Sequence, residues 1–329
     1  MSNSGISRKS FLFTLAAAAC LGGVPPVLAQ ERDNRVTRII VPFGTGGAPD
    51  IVARLLANVL GQRTAKTFIV ENRGGANGNI GADIVAKAPP DGHTLLLHGP
   101  SLAIDPSIYK KLPFDTERDL RPVVEVCAAE GMLLVVNAAN PAKTLADFIA
   151  AAKRPGAKLA YASPGVGNAF HLAAENFLNV AGVQAVHVPY KGAGEAVTAL
   201  MAGDVQFLIG SAPSVGPQLQ AGRLRALAFA AKRRSAEFPN VPTFAESGLQ
   251  GLEMTLWYGL FAPRGTPDAV IAALNADVRA ALGDPGMRQV LAQQGLVPVG
   301  GEPGQLAELL HSDISRYGML AKRAGIQPE

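Results

Sequence analysis

The sequence predicts an α/β protein of parallel layers in which strands run into glycine-rich bends and then into helices. Three observations carry this. Short β-branched or leucine-rich runs alternate with amphipathic stripes along the chain, the order that packs helices onto sheets. Clusters of glycine follow several of those runs at their carboxyl ends. At 329 residues the chain also suits two domains of ordinary size.

Before the first strand, Arg8 and Lys9 precede an apolar run from Phe11 to Ala19, and Val27 and Ala29 supply small residues for cleavage before Gln30. That is the pattern of a secretory signal peptide over residues 1–29. The run falls short of the roughly 20 apolar residues of a membrane span. "SRKSFLF" carries Lys9 where a twin-arginine signal has its second arginine, which favours the Sec route. Cys20 follows "AAA", without the leucine usual before a lipidated cysteine. Once the signal is gone, Cys127 is the single thiol, so no internal disulfide can form. Net charge is +4, too small to define a partner. No basic run is interleaved with aromatics, which argues against a nucleic-acid surface. The densest basic stretch, "AAKRRS", reads as a solvated loop or helix end.

The first strand, "RIIVPF", runs into "VPFGTGGAPDIVAR", Val41 to Arg54. Gly44, Gly46 and Gly47 allow a tight turn and close backbone approach. Pro49 fits a first helical turn. Val52, Leu55, Leu56, Val59 and Leu60 then form one apolar stripe, with Gly61 as the expected stop. No lysine follows the glycines, and Pro49 stands where G-x-G-x-x-G has its third glycine, so a nucleotide site is disfavoured.

Further strands are expected at "TFIVEN", "TLLLHG", "MLLVVN", "LAYASP", "AVHVPY", "VQFLIG" and "LRALAFA". Bends follow them at "NRGGANGNIGAD", "HGPS", "YASPGVGNAFH", "VPYKGAGEA" and "FLIGSAPS". Ligands of open α/β sheets bind beyond the carboxyl ends of strands. Helix N-termini there present unpaired N–H groups and partial positive charge. Several such bends on one side would build an anion site from backbone alone. For any one bend, glycine as plain loop punctuation is the more economical reading, and it is the joint placement of the bends that points to binding.

The side chains offer less. Gly99-Pro100-Ser101-Leu102-Ala103 approximates the G-x-S-x-G nucleophile elbow, and His171, His187 and His311 are possible bases for a serine hydrolase. No HGGG-like segment precedes Ser101, however, and Pro100 restricts the turn. The five histidines are scattered and no C-x-x-C occurs, so neither a metal nor a cofactor is expected. Asp50 complements a helix N-terminus, holding the loop or receiving a ligand donor. Trp257 and Tyr258 are cleft walls or core.

These segments together resemble the Bug-type periplasmic solute-binding receptors of tripartite tricarboxylate transporters. "VPFGTGGAPDIVAR", "VENRGGANGNIGADIVAKAPPDGHTLL", "IYKKLPFDTERDLRPV", "VHVPYKGAGEAVTALMAGDVQ" and "NVPTFAESGL…WYGLFAPRGTP" occur in the family's order across nearly all of the mature chain. The resemblance implies two Rossmann-like lobes of periplasmic-binding-protein type II form that close on a small carboxylate. Crossings near "EVCAAEGM" and "GLEMTLWYG" put residues 30–127 and 254–329 in one lobe and 128–253 in the other.

Carried over position by position, the resemblance implies ligand-binding roles for Phe43, Thr45, Gly46, Gly47 and Asp50, for Asn77 within Asn77–Asn79, and for Ser101. In the second lobe it implies Ser163, Gly165, Asn168, His171, Gly192 with Gly194, Gly210 and Ser211. It further implies a periplasmic, non-catalytic monomer that delivers its ligand to membrane transporter subunits; a receptor that signals to a sensor kinase would read the same. Two departures bear on the ligand. Pro49 replaces a small residue before Asp50, and Ile209-Gly210-Ser211 stands where relatives often carry "FDN". Loss of that acidic group disfavours amino acids and points to an ammonium-free carboxylate, aromatic and keto acids among the candidates.

Overall fold

A computed structural model describes residues 35–323 except Glu130, together with 325, 326 and 328. The expected signal peptide, including Cys20, lies outside these residues. The first sheet gathers β1 (Thr37–Val41), β2 (Phe68–Asn72), β3 (Thr94–His98), β4 (Leu120–Ala129) and, from much later in the chain, the strands Trp257–Pro263 and Leu296–Gly300. The second sheet holds β5 (Leu133–Asn137), β6 (Ala160–Ser163), β7 (Val186–Pro189), β8 (Phe207–Gly210) and β9 (Leu224–Phe229). The late strands are therefore β10 and β11.

Strand order is β11-β4-β10-β3-β1-β2 in the first sheet and β7-β6-β8-β5-β9 in the second. Both follow one plan. β1, β2 and β3 run parallel, as do β6, β7 and β8. The strand arriving from the other sheet, β10 or β5, then inserts antiparallel between the third strand and the fourth. The sheets are thus mixed, where alternation alone suggested parallel layers. A strand returning from the far sheet has no crossover helix to reverse it.

Helices cover both sheets. α1 (Ala48–Thr64), α2 (Asn79–Ala86) and α3 (Ser101–Ile108) follow the first three strands. α4 (Leu145–Ala152), α5 (Ala169–Ala181), α6 (Ala193–Ala202) and α7 (Ala212–Gln220) accompany the second sheet, and α8 (Asp268–Ala281), α9 (Pro285–Gln293) and α10 (Pro303–Arg323) complete the chain. α1 packs on α8 and α9, while α10 packs on α3 and also reaches α5. Alternate residues of β5 divide between two cores: Leu134 and Val136 join the cluster that contains Ile39 and Trp257, whereas Leu133 and Val135 join Leu200 and Val215.

Some local expectations shift. α1 runs a turn beyond Gly61 and closes at Ala65, whose N–H reaches the Gly61 carbonyl. Pro267 stands at the N-cap of α8, and the Thr266 hydroxyl donates to the Pro263 carbonyl at 2.8 Å. Trp257 is core, fully buried, with its indole N–H on Asp313 at 2.8 Å. "AAKRRS" lies in a loop with Lys232, Arg233 and Arg234 exposed.

The chain crosses between sheets after Ala129 and again between Phe229 and Trp257. The crossings are tied side by side: Ala129 N–H donates to Leu256 at 2.7 Å, Ala230 to Met132 at 2.8 Å and Met254 to Ala230 at 3.1 Å. A Cβ at Gly131 would lie 2.7 Å from the Phe229 ring and 3.0 Å from the Ala230 carbonyl. Gly131→Val should therefore cost about 1–3 kcal/mol, read as a lower urea midpoint with an unchanged m-value.

Candidate functional site

Parallel β1, β2 and β3 bring three bends to one edge of the first sheet, those at 42–47, 73–78 and 99–101. The first is exposed from Gly44 to Gly47, with Gly46 at φ 84°. Gly47 caps α1 without a side chain, so the first-turn donors are left open. The N–H groups of Thr45 and Gly47 have no partner among the described residues.

Asp50 holds this bend in place. Its Oδ2 accepts from the Gly46 amide at 2.9 Å and Arg54 Nε at 3.1 Å, and its Oδ1 accepts from Asn72 Nδ2 at 2.9 Å. Asn72 also donates to the Phe43 carbonyl at 3.1 Å. Burial pushes the Asp50 carboxyl up, but bonds from Arg54, Gly46 and Asn72 outweigh it and keep the group below the usual carboxylate range. Both oxygens are occupied, so of its two expected roles the structure displays loop holding. The aspartate-to-arginine spacing of four was visible in the sequence. Asn72, at the end of β2, carried no signal.

The second bend carries Asn77 at φ 54° and Gly78 at φ 106°. A Cβ on Gly78 would sit 2.7 Å from His98 Nε2, so only glycine fits over that ring. His98 is fully buried, its Nδ1 accepting from the Gly99 amide at 2.8 Å. Burial lowers its pKa to about 3, leaving it neutral, and Phe43 packs edge-on at 5.5 Å. Asn77 Nδ2 donates to Asp105 Oδ1 at 2.6 Å. Burial raises the Asp105 pKa to about 8 against the opposing bonds from Asn77 and Asn79. Asp105 Oδ2 and Asn79 Oδ1 both lack a partner as acceptors. Ser101 opens α3, half-buried, behind Pro100.

In the second sheet, parallel β6, β7 and β8 likewise align the bends after Ser163, Pro189 and Gly210. Ser163 is buried, its hydroxyl donating to the Gly165 carbonyl at 2.7 Å and meeting His187 Nε2 at 2.7 Å. Asn168 caps α5, accepting from Phe170 and His171 amides at 2.9 and 3.0 Å, and donates to Gly165 at 2.7 Å. His171 is buried: its Nδ1 accepts from the Gly167 amide at 3.0 Å, and its ring stacks on His187 at 4.0 Å. Burial, then the neighbouring His187, lowers its pKa to about 4. Ser163, Asn168 and His171 thus brace the bend from within. Gly192 and Ser211 begin α6 and α7 without side-chain caps; at α7 Pro213 has no N–H and the Ser214 amide donates to the Ser211 carbonyl at 3.0 Å, which leaves the Ala212 amide open.

The second sheet's bend after Ser163 approaches the first lobe at the far end of α3, where a Cβ on Gly167 would be 2.5 Å from Ile108 Cδ1. The structure therefore links Phe43, Gly46 and Asp50 in one web, Asn77 with Asp105 in a second, and Ser163, Gly165, Asn168 and His171 in a third. Thr45, Gly47, Ser101, Gly192, Gly210 and Ser211 stand at the same edges with their backbones turned to the bends.

Residues 52–326 match the model of the tripartite tricarboxylate transporter family receptors. The chain belongs to this family. Protein BugT of Bordetella pertussis is 36% identical over 93% of this chain and 94% of its own. The periplasmic binding protein BugD superposes with a TM-score of 0.77 at 30% identity, covering 90% of this chain and 99% of that one. An R. palustris protein solved with adipate gives 0.81 at 34% identity over 90% and 99%.

Like these receptors, the chain has a two-lobed α/β fold. No histidine is bonded to Ser101 among the described residues, and His311 pairs with Glu117 on the surface. Asp105 supplies a test of how its bend is held. Its folded pKa lies above the ordinary carboxyl value, so folded protein binds the extra proton and stability falls as pH rises from about 4 to about 8. Asp105→Asn keeps an acceptor for Asn77 and removes the titrating group. The difference between wild-type and variant unfolding free energies should change by up to about 1.4 kcal/mol per pH unit in that window and flatten above it, measured by urea titrations at each pH.

Proposed function

We propose that the chain is exported through the Sec route with residues 1–29 removed, captures a small organic carboxylate between two lobes, and hands it to the membrane subunits of a tripartite tricarboxylate-type transporter. It acts as a monomer and without catalysis. The lobes are 30–127 with 254–329, and 128–253. The observation that carries the reading is the pair of sheet edges with open amides and no lysine or arginine among the expected ligand contacts. Arg54 is spent on Asp50 and Asn72. The adipate bound to the R. palustris relative supports the ligand class.

Thr45, Gly46 and Gly47 with Asn77 and Ser101 form the first lobe's share of the site. Gly165, Gly192, Gly210 and Ser211 form the second's. Phe43, Asp50, Ser163, Asn168 and His171 set the bends behind them. A carboxylate between α1, α6 and α7 meets three N-terminal dipoles, each worth about 0.3–2 kcal/mol. Closure about the twin crossings would bring both shares onto one anion and exclude water.

Gly47→Pro deletes one amide that bonds nothing in the free protein, at a φ of −77° that proline tolerates. Its stability should stay within about 0.5 kcal/mol of wild type. Affinity for the tightest binder among acetate, succinate and adipate should fall about tenfold or more, the worth of one bond to a charged group. Isothermal titration calorimetry reads both proteins. An unchanged affinity removes the amide site.

A further inference from the structure

We infer that the preferred ligand is a short-chain alkyl monocarboxylate whose methyl end enters a small apolar cavity in the second lobe. This rests on the carboxylate-receptor reading and specifies it. The cavity opens among the three bends of the second sheet and is lined by Ala162, Pro164, Phe170, Ala196, Val197 and Ile209. Pro164 follows Ser163, and Ala193, another wall residue, is the first residue of α6. The cavity is therefore continuous with the rim that offers open amides. A carboxylate head at that rim places its chain inward.

The lining decides the chemistry. Its hydroxyl, Ser214, is already engaged, donating to the Ser211 carbonyl at 2.8 Å and receiving from Ser211 Oγ at 3.1 Å. No charged side chain lines the cavity. A second carboxylate or an ammonium placed there would lose its water without gaining a partner. A methyl group loses nothing. At Gly210 a Cβ would lie 2.9 Å from Val215 Cγ1 and 3.0 Å from Leu208 Cδ1. The site is thus closed to the side chain that would balance an amino group.

Size sets the chain length. Measured at the centre of a water-sized sphere, the cavity holds about 10 Å³, room for about one water molecule. One or two carbons fill it; an aromatic ring does not fit.

Calorimetric titration of the mature protein at pH 7.5 with acetate, propionate, butyrate, hexanoate, succinate and adipate tests this. Affinity should rise about fourfold per added CH2 from acetate and stop rising by butyrate, with butyrate at least tenfold tighter than succinate. Ala196→Val, which adds two carbons to the cavity wall, should bring butyrate down to the acetate level. Val197→Ala, which enlarges it and keeps the helix, should move the limit one carbon longer. Succinate or adipate binding as tightly as butyrate or hexanoate overturns the inference and leaves the receptor reading intact, as does a butyrate affinity unchanged in both variants. Failure of every acid to bind overturns both.

Discussion

Peptide N–H groups can grip an anion only if they are left unpaired in the free protein and yet held still. Those demands conflict, because an unpaired amide is a place where the chain is free to move. The fold separates them. The strands and helices fix both ends of each bend, and side chains that point inward fix its middle. Asp50 binds the Gly46 amide from behind, Asn168 binds Gly165 and two α5 amides, and Asn77 is tied to Asp105. Each uses polar groups on structure so that neighbouring amides remain available. Preorganisation of this kind removes ordering entropy from the binding step.

The same logic explains the charge states. His98 and His171 are kept neutral by burial, and Asp105 keeps its proton at neutral pH. Asp50 is ionised but faces Arg54. The field at the rim is therefore set by helix ends and amides, with little contribution from titrating side chains. Such a site prefers anions of many shapes and leaves discrimination to the walls. In the second lobe those walls are Ala, Val and Ile, which cannot reward a polar substituent.

Much of this was legible in the sequence. Periodicity located α1, and glycines located the bends, most of which need close approach or positive φ. The strands that passed unnoticed were β4, β10 and β11. β4 interrupts its apolar residues with Pro122 and Glu125, and β10 places Gly259 between aromatics. Their strand character comes from pairing across the sheet with residues more than a hundred positions away, a long-range effect that local pattern does not contain. Site residues divided the same way. Glycines and Ser101 announced themselves by position, whereas Asn72, His98 and Asp105 matter through neighbours that only the fold supplies.

Those long-range strands also bear on how the molecule moves. The paired crossings place Ala129, Met132, Ala230, Met254 and Leu256 in one hydrogen-bonded ribbon, and Gly131 leaves no side chain to separate its halves. α10 is bolted to it: Asp313 accepts the Trp257 indole N–H, and Arg316 donates to the Glu253 carbonyl at 3.3 Å while pairing with Asp313 at 2.9 Å. The buried cluster continues from Ile39 in the first sheet through Trp257 to Phe207 in the second. Wide separation of the lobes would break that apolar continuity, at roughly 25 cal/mol per Å² exposed. Rotation about the ribbon exposes little. In the proposed capture cycle the lobes would turn on a stiff, narrow axis, and binding energy gained at the rim would go into closing the cleft with the core left packed.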